Sequence, residues 1–235
     1  MVVSHMAAGK TLQTIAFLST LKYAKGVDGP FLIVAPLSVL SSWMTEFRKW
    51  CPSFRVIKLH SSDPNERDRM RREVLPNVAS YDAVITTYEM VKQTSFHSSL
   101  SRVSFRYLVI DEGHIIKNET TQISTQLRKL HYNASLLLTG TPLQNNMHEL
   151  WALLNFLYPD IFTDSKDFDS AFNLTKSEVD DDMLAKAHYM LRPFILRRIK
   201  LDVEKTVPPK EEIKVFCPLS TTQQFFYKNL LMREH

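Results

Sequence analysis

The 235-residue chain is long enough for one large domain, or for one and a half domains of ordinary size. Hydrophobic residues make up 44% of it and charged residues 23%, and it has only 5 glycines, which excludes collagen-like and glycine-rich disordered chains. No apolar run is long enough to cross a bilayer, so we expect no membrane association. The net charge of +4 permits a polyanionic partner without requiring one.

Short aliphatic runs alternate with longer amphipathic stretches in the first two-thirds of the chain. The runs predict buried strands at Phe31–Ala35, Arg55–Leu59, Ala83–Thr87, Tyr107–Ile110 and Ser135–Thr139. The stretches predict helices at Thr11–Ala24, Val39–Trp50, Asn65–Val74, Glu119–Leu130 and Asn146–Leu157. This alternation predicts an α/β domain with a parallel sheet, helices on both faces, and ligands at the carboxyl ends of the strands.

The pattern changes after Pro159, where residues 160–204 carry no strong strand run and are predicted to be helical or irregular. The prolines in Val207-Pro208-Pro209-Lys210 predict a stiff linker. A strand at Glu212–Phe216 and a helix at Thr222–Arg233 would open a second domain. We therefore predict three parts: an α/β domain at 1–158, a helical extension at 159–206, and a linker with the start of a second domain at 207–235.

A possible phosphate-binding motif, Gly9-Lys10-Thr11, precedes the first predicted helix. Free N–H groups at a helix N-terminus bind anions. A lysine there reaches the terminal phosphates of a nucleotide, and a threonine hydroxyl can hold Mg²⁺. Taken alone, these residues are equally consistent with an ordinary helix start.

Two adjacent carboxylates, Asp111 and Glu112, follow the apolar run Leu108–Ile110. A strand-end aspartate can hold Mg²⁺ through water, and the next glutamate can orient or deprotonate an attacking water. A solvated acidic turn is the simpler reading for such a pair in isolation. The preceding Lys-Thr motif in the same alternating domain favours the catalytic one.

A third segment, Leu138–Asn145, runs from a predicted strand into a turn that bears two hydroxyls and an amide. Such groups could sense the phosphate state of a nucleotide, although a plain Gly-Pro turn would have the same spacing. Together, the three segments resemble, in order, the motifs of superfamily-two helicase-like ATPases. Val34–Leu40 with Trp43, and Val84–Glu89, resemble the DNA-facing segments of that family.

The downstream segments Glu149–Leu157 and Leu191–Arg198 are similar to hallmarks of the Swi/Snf branch. The set looks closest to imitation-switch and lymphoid-helicase-type remodellers, and the resemblance covers nearly the whole chain. It implies the first, RecA-like lobe of a nuclear, DNA-dependent ATPase that uses ATP and Mg²⁺. The implied partners are double-stranded DNA, nucleosomes and a second lobe of the same chain.

The resemblance also implies roles for individual residues. The nucleotide would be bound by Ala7, Ala8, Gly9, Lys10 and Thr11. Lys10 would contact the β- and γ-phosphates, Thr11 and Asp111 would hold the metal, and Glu112 would activate water. Coupling to lobe movement would fall to His114, Gly140, Thr141 and Gln144. DNA would be contacted at Pro36, Leu37, Ser38 and Thr87.

Some features depart from the family pattern. Ala7 stands where the family has a glycine, and both the strand before the loop and the adenine-recognising segment are expected to be missing. Because the second lobe supplies the arginine fingers, the resemblance implies negligible hydrolysis by this chain alone. A catalytically dead scaffold therefore remains an alternative. A helicase of another branch is a further alternative, against which the long segment Asn145–Pro209 argues.

The remaining conspicuous residues predict structural rather than chemical roles. The tryptophans Trp43, Trp50 and Trp151 are predicted to pack in the core rather than stack on bases. Cys51 and Cys217 predict two free thiols. No histidine has a partner at zinc-ligand spacing.

Overall fold

The computed structural model describes residues 2–4, 9–140, 147–166, 191–198 and 212–232, with only the backbone described for residues 2–4. The chain divides into two compact units, Met1–Val203 and Glu204–His235. The predicted residues Ala7, Ala8, Thr141 and Gln144 lie outside the described ranges.

A parallel sheet forms the centre of the first unit. Its strands are β1 (Val2–Ser4), β2 (Phe31–Ala35), β3 (Val56–Leu59), β4 (Ala83–Thr87), β5 (Ser104–Asp111), β6 (His131–Thr139) and β7 (Leu196–Arg198). Within the described residues the sheet has seven strands in the order β3-β4-β2-β5-β6-β1-β7, and every pairing is parallel. The predicted α/β fold with a parallel sheet is confirmed.

Helices cover both faces of the sheet, as predicted. They are α1 (Lys10–Lys25), α2 (Leu40–Trp50), α3 (Pro64–Arg69), α4 (Tyr88–Lys92), α5 (Thr94–Leu100), α6 (Gln122–Arg128) and α7 (Met147–Leu157). Alternate residues of β2 divide between two cores because side chains alternate across a strand. Phe31 and Ile33 pack with the residues of α1 and α2, whereas Leu32 and Val34 pack with those of α4 to α7.

The sequence missed two strands of the sheet. β1 and β7 are three residues each, too short to give a recognisable periodic pattern. The expectation that the strand before the phosphate motif is missing was wrong, because Val2 and Val3 pair with Leu138 and Thr139 of β6. β5 and β6 also begin earlier than predicted, since polar residues such as Ser104 and His131 start both strands and interrupt the apolar run.

The second unit contains α8 (Thr221–Met232), close to the predicted helix. Residues 212–220 have no regular secondary structure, so the predicted strand at Glu212–Phe216 was wrong. Its alternating pattern suits a strand, but the described part of this unit offers no neighbouring strand to complete the backbone hydrogen bonds. A search of the described residues finds no helix with the length and apolar character needed to span a membrane.

Candidate functional site

Helix α1 begins at a glycine in the left-handed backbone region. Gly9 has a φ of 76°, and its carbonyl accepts the first bond of the helix from the Gln13 N–H at 2.9 Å. The N–H groups of the first turn lack partners inside a helix and carry the positive end of its dipole. The Lys10 side chain, 12% exposed, lies at the same point. This end of α1 can therefore bind a phosphate.

The carboxyl end of β5 brings acidic groups to the same place. Glu112 has a φ of 57°, which is uncommon for a residue with a side chain, and its N–H donates to Asp111 Oδ1 at 3.0 Å. Its carboxylate Oε1 lies 3.8 Å from Lys10 Nζ, and its Oε2 lies 3.3 Å from His114 Nδ1. One cluster therefore contains Lys10, Asp111, Glu112 and His114.

Asp111 is held from the core side by two buried aromatic residues. The Trp43 indole N–H donates to Asp111 Oδ2 at 2.9 Å, and the Tyr88 hydroxyl donates to the Asp111 backbone carbonyl. Burial raises the pKa of the Asp111 carboxyl above its ordinary value, and the Trp43 hydrogen bond opposes this shift. The charge of Glu112 raises the pKa further, so a cation placed here would relieve an electrostatic cost.

These residues fit a nucleotide with magnesium. The two N–H bonds to the Asp111 carboxylate leave oxygen lone pairs available for a metal-bound water. Carboxylate and hydroxyl oxygens, as on Asp111 and Thr11, are the ligands that Mg²⁺ prefers. Lys10 and the start of α1 supply the positive charge that phosphates require.

The predicted coupling residues are described only in part. His114 belongs to the cluster and its side chain is 45% exposed. Gly140 directly follows β6, whose Leu138 pairs with Asp111, so Gly140 lies at the same edge of the sheet as the acidic pair. Thr141 and Gln144 lie outside the described residues.

The predicted DNA-facing residues lie at the carboxyl ends of two neighbouring strands, β2 and β4, whose last residues Ala35 and Thr87 pair with each other. Leu37 and Ser38 are exposed in a 3₁₀ turn before α2, and Pro36 is half-buried. Thr87 differs: it is fully buried, and its hydroxyl accepts the Met90 N–H at 3.3 Å, which caps α4. Its side chain therefore has no exposed atom for a direct contact with DNA in this structure.

Sequence reasoning missed the hydrogen bonds that Trp43 and Tyr88 make to Asp111. Trp43 and Trp151 are buried, as predicted, but Trp50 is 49% exposed and the core prediction was wrong for it. The available signal was chemical: a buried indole N–H needs an acceptor, and the aspartate at the end of the neighbouring strand could supply one.

The structure also describes the cysteines, the metal-ligating side chains and Arg198. Cys51 and Cys217 are free, as predicted. Within the described residues, no three metal-ligating side chains of His, Cys, Asp or Glu lie together. Arg198 donates to the Gln13 side chain, so a side-chain hydrogen bond joins β7 to α1.

Comparison with known proteins shows which family has this arrangement. A model of the SNF2-related domain matches residues 1–235. Human "SWI/SNF-related matrix-associated actin-dependent regulator of chromatin subfamily A member 1" is 46% identical over 98% of this chain and 22% of its own length. The yeast (Saccharomyces cerevisiae) "ISWI chromatin-remodeling complex ATPase ISW2" is 47% identical over 98% of the chain and 20% of its length. "ATP-dependent DNA helicase DDM1" of Arabidopsis thaliana is 43% identical over 97% and 31%.

A solved structure agrees with the sequence matches. The "Sulfolobus solfataricus SWI2/SNF2 ATPase core in complex with dsDNA" has a TM-score of 0.73 and 32% identity, and the match covers 99% of this chain and 47% of that one. The chain thus spans about a fifth to a third of the curated relatives it matches. With a family model matched along its full length and relatives above 40% identity, the chain belongs to the SNF2-related domain family.

Proposed function

We propose that this chain is the first ATP-binding lobe of a nuclear motor that moves along double-stranded DNA and reshapes nucleosomes. The proposal rests on the ion pair between Lys10 Nζ and Glu112 Oε1, which lie 3.8 Å apart beside the buried Asp111. A phosphate-facing cation and a metal-holding carboxylate at one edge of a parallel sheet are what a nucleotide hydrolase of this fold needs. The named relatives act on chromatin, which supports the cellular role.

Each residue of the cluster would have a separate task. Lys10 and the first N–H groups of α1 would bind the β- and γ-phosphates, while Thr11 and Asp111 would hold Mg²⁺. The metal, when bound, supplies positive charge to the phosphate oxygens. Glu112 would orient the attacking water and accept its proton, and His114 lies 3.3 Å from Glu112, where it can fix the direction of that carboxylate.

The DNA contact would come from the exposed turn at Pro36–Ser38. Hydroxyl and backbone N–H groups bind phosphates without reading bases, which suits a motor that must ignore sequence. Thr87 would act indirectly, by fixing the start of α4. Gly140, Thr141 and Gln144, together with His114, would pass the state of the nucleotide to the second lobe.

The second lobe would complete the site with arginine side chains. Such an arginine is worth a factor of about 10³–10⁵ in rate, so we expect this chain alone to bind nucleotide but to hydrolyse it very slowly.

Titration of the chain with a fluorescent ATP analogue tests the nucleotide site. We expect saturable binding that Mg²⁺ strengthens, and we expect Lys10→Ala and Asp111→Asn each to weaken it by about tenfold or more. Lys25→Ala, at the exposed far end of the same helix, is the matched control and should leave the affinity unchanged. No saturable binding would reject the motor and support the scaffold alternative, which Ala7 favours because it stands where the family has a glycine.

Binding to duplex and single-stranded DNA separates the motor from a strand-separating helicase. Anisotropy of a labelled oligonucleotide should show tighter binding to the duplex. Ser38→Glu places a negative charge in the exposed turn and should weaken that binding. A preference for single strands would favour a helicase of another branch.

A further inference from the structure

Two buried aromatic side chains direct polar hydrogens at Asp111. Trp43 is 1% exposed and Tyr88 is 3% exposed. The Trp43 indole N–H lies 2.9 Å from one carboxylate oxygen of Asp111, and the Tyr88 hydroxyl donates to its backbone carbonyl. Packing alone would need only the rings. The two hydrogen bonds hold both the side chain and the backbone of the residue that would hold the metal.

Each of these aromatic residues belongs to an element that begins at a predicted DNA-facing position. Trp43 lies in the first turn of α2, directly after the exposed turn that contains Leu37 and Ser38. Tyr88 is the first residue of α4 and follows Thr87, whose hydroxyl caps that helix. The helices that follow β2 and β4 along the chain, α2 and α4, therefore each make one hydrogen bond to Asp111.

The linkage is short and stiff. Trp43 is 1% exposed and packs on Phe47 of the same helix with ring centroids 6.2 Å apart, so close packing restricts the rotation of its indole. A small displacement of the start of α2 moves the N–H that fixes one Asp111 oxygen, and a displacement of α4 moves the hydroxyl that fixes its carbonyl. Packed elements of this kind transmit small shifts because the core around them is dense.

We propose that Trp43 and Tyr88 are positioning residues that link DNA contact at Pro36–Ser38 to the orientation of the Asp111 carboxylate. This inference rests on the proposed function. In it, DNA binding sets the metal-holding carboxylate through α2 and α4, and metal–nucleotide binding acts back on the DNA-facing turn by the same route. The two binding events are then coupled in both directions, as thermodynamic linkage requires.

Fluorine NMR of the chain labelled with fluorotryptophan tests the linkage directly. The resonance of Trp43, assigned by its loss in Trp43→Phe, should shift when duplex DNA is added without nucleotide, and again when Mg²⁺ and a non-hydrolysable ATP analogue are added. Trp151, in α7, serves as the internal reference. Anisotropy of the labelled duplex, measured on the same samples, reports DNA binding. A Trp43 resonance that stays unchanged while the duplex saturates overturns this inference alone, whereas absence of DNA binding overturns the proposed function as well.

Conservative variants measure the coupling itself. Trp43→Phe and Tyr88→Phe each keep an aromatic ring and remove the polar hydrogen. In the unaltered chain we expect duplex DNA to tighten binding of the Mg²⁺–nucleotide analogue by about fivefold or more. Each variant should lower that ratio, with little change in DNA affinity, because each removes one of the two hydrogen bonds to Asp111. Trp50→Phe loses only an exposed bond to Glu46 and should keep the ratio.

Thermal melting shows whether each variant folds. If Trp43→Phe does not fold, the coupling ratio of Tyr88→Phe alone tests the proposal. A coupling ratio that both folded variants retain would show that the aromatic pair serves packing only, and would overturn the proposal.

Discussion

Glu112 occupies a backbone conformation that costs a residue with a side chain roughly 1–2 kcal/mol. Such strain persists only where the surroundings enforce it, and it concentrates at functional sites. Here the N–H of Glu112 is fixed by Asp111 Oδ1, and its carboxylate meets Lys10 and His114. The strained residue is also the one proposed to activate water.

Gly113, the next residue, need not be glycine. A Cβ placed there would meet Leu137 at 3.4 Å, an ordinary contact, and its backbone is not left-handed. Gly113→Ala should therefore raise the free energy of unfolding by about 0.4–1 kcal/mol, because alanine restricts the unfolded chain. Thermal melting measures this. The contrasting change is Gly29→Ala, whose Cβ would collide with the Asp82 carbonyl; it should destabilise by about 1–3 kcal/mol. If both variants destabilise equally, the packing argument is wrong.

Asp82 makes stability depend on pH at the opposite end of the sheet. Its buried carboxylate pairs with Lys22 and accepts the Arg55 N–H at 2.8 Å. Burial alone would raise the pKa of Asp82, but these bonds outweigh burial and hold the pKa below its ordinary value of 3.8. A depressed pKa stabilises the fold above the unfolded pKa, and that contribution is lost as the pH falls through the folded one.

Asp82→Asn should therefore lower the free energy of unfolding at pH 7 by about 1.5–3 kcal/mol, through loss of the charged hydrogen bonds. The difference from the unaltered chain should shrink as the pH drops below 3.8. Asp28→Asn makes the same chemical change at an exposed site and should show neither effect. Thermal melting curves of the three chains, measured across this pH range, test the prediction. A stability difference between Asp82→Asn and the unaltered chain that does not change with pH would refute the role given to Asp82.

At the scale of single elements, the strands with a clear run of buried residues could be predicted from the sequence. Phe31–Ala35 and Ala83–Thr87 were predicted with their observed bounds, because both strands are mostly β-branched or aliphatic and are buried on both faces. α4 and α5 were missed because helices of five and seven residues are too short to show a period. The acidic pair and the lysine could be predicted as motifs. The bonds from Trp43 and Tyr88 could not, since they depend on how α2 and α4 sit against β5.

Helix α1 offers a test that separates backbone strain from nucleotide contact. Gly9 and Gly26, at its two ends, both lie in the left-handed region, with φ of 76° and 64°. Alanine at either position should destabilise by roughly 1–2 kcal/mol. Only Gly9→Ala should also weaken binding of a nucleotide, because Gly9 precedes the helix start at which we propose that the phosphates bind. Melting and nucleotide titration of both variants provide the comparison, and equal losses of affinity would contradict the placement of the site.

At the scale of the whole molecule, the order of strands could not be predicted. Alternating strands and helices predict a parallel sheet, but many strand orders satisfy that rule. The placement of β1 between β6 and β7 depends on residues distant in sequence and on strands too short to recognise. The chain divides into Met1–Val203 and Glu204–His235, and the three-part division at 158 and 206 stays a prediction.

Binding of a ligand to the folded chain should raise its melting temperature. At a concentration of Mg²⁺ and ATP analogue about 100 times the dissociation constant, the gain should be about 2.7 kcal/mol. Lys10→Ala should abolish most of the shift while leaving the melting temperature of the free chain nearly unchanged. An equal shift in that variant would place the nucleotide elsewhere on the molecule.

The position of β1 also determines when this protein can finish folding during synthesis. Val2–Ser4 precedes the other strands of the sheet along the chain, yet its two neighbours in the sheet are residues 138–139 and 196–198. A nascent chain can assemble β2 to β5 early, but it must wait for nearly all of the first unit to leave the ribosome before this strand has both partners. Gly9 and Lys10 follow β1 closely in the sequence, so the phosphate site that we propose at the start of α1 adjoins the strand whose pairing is completed last.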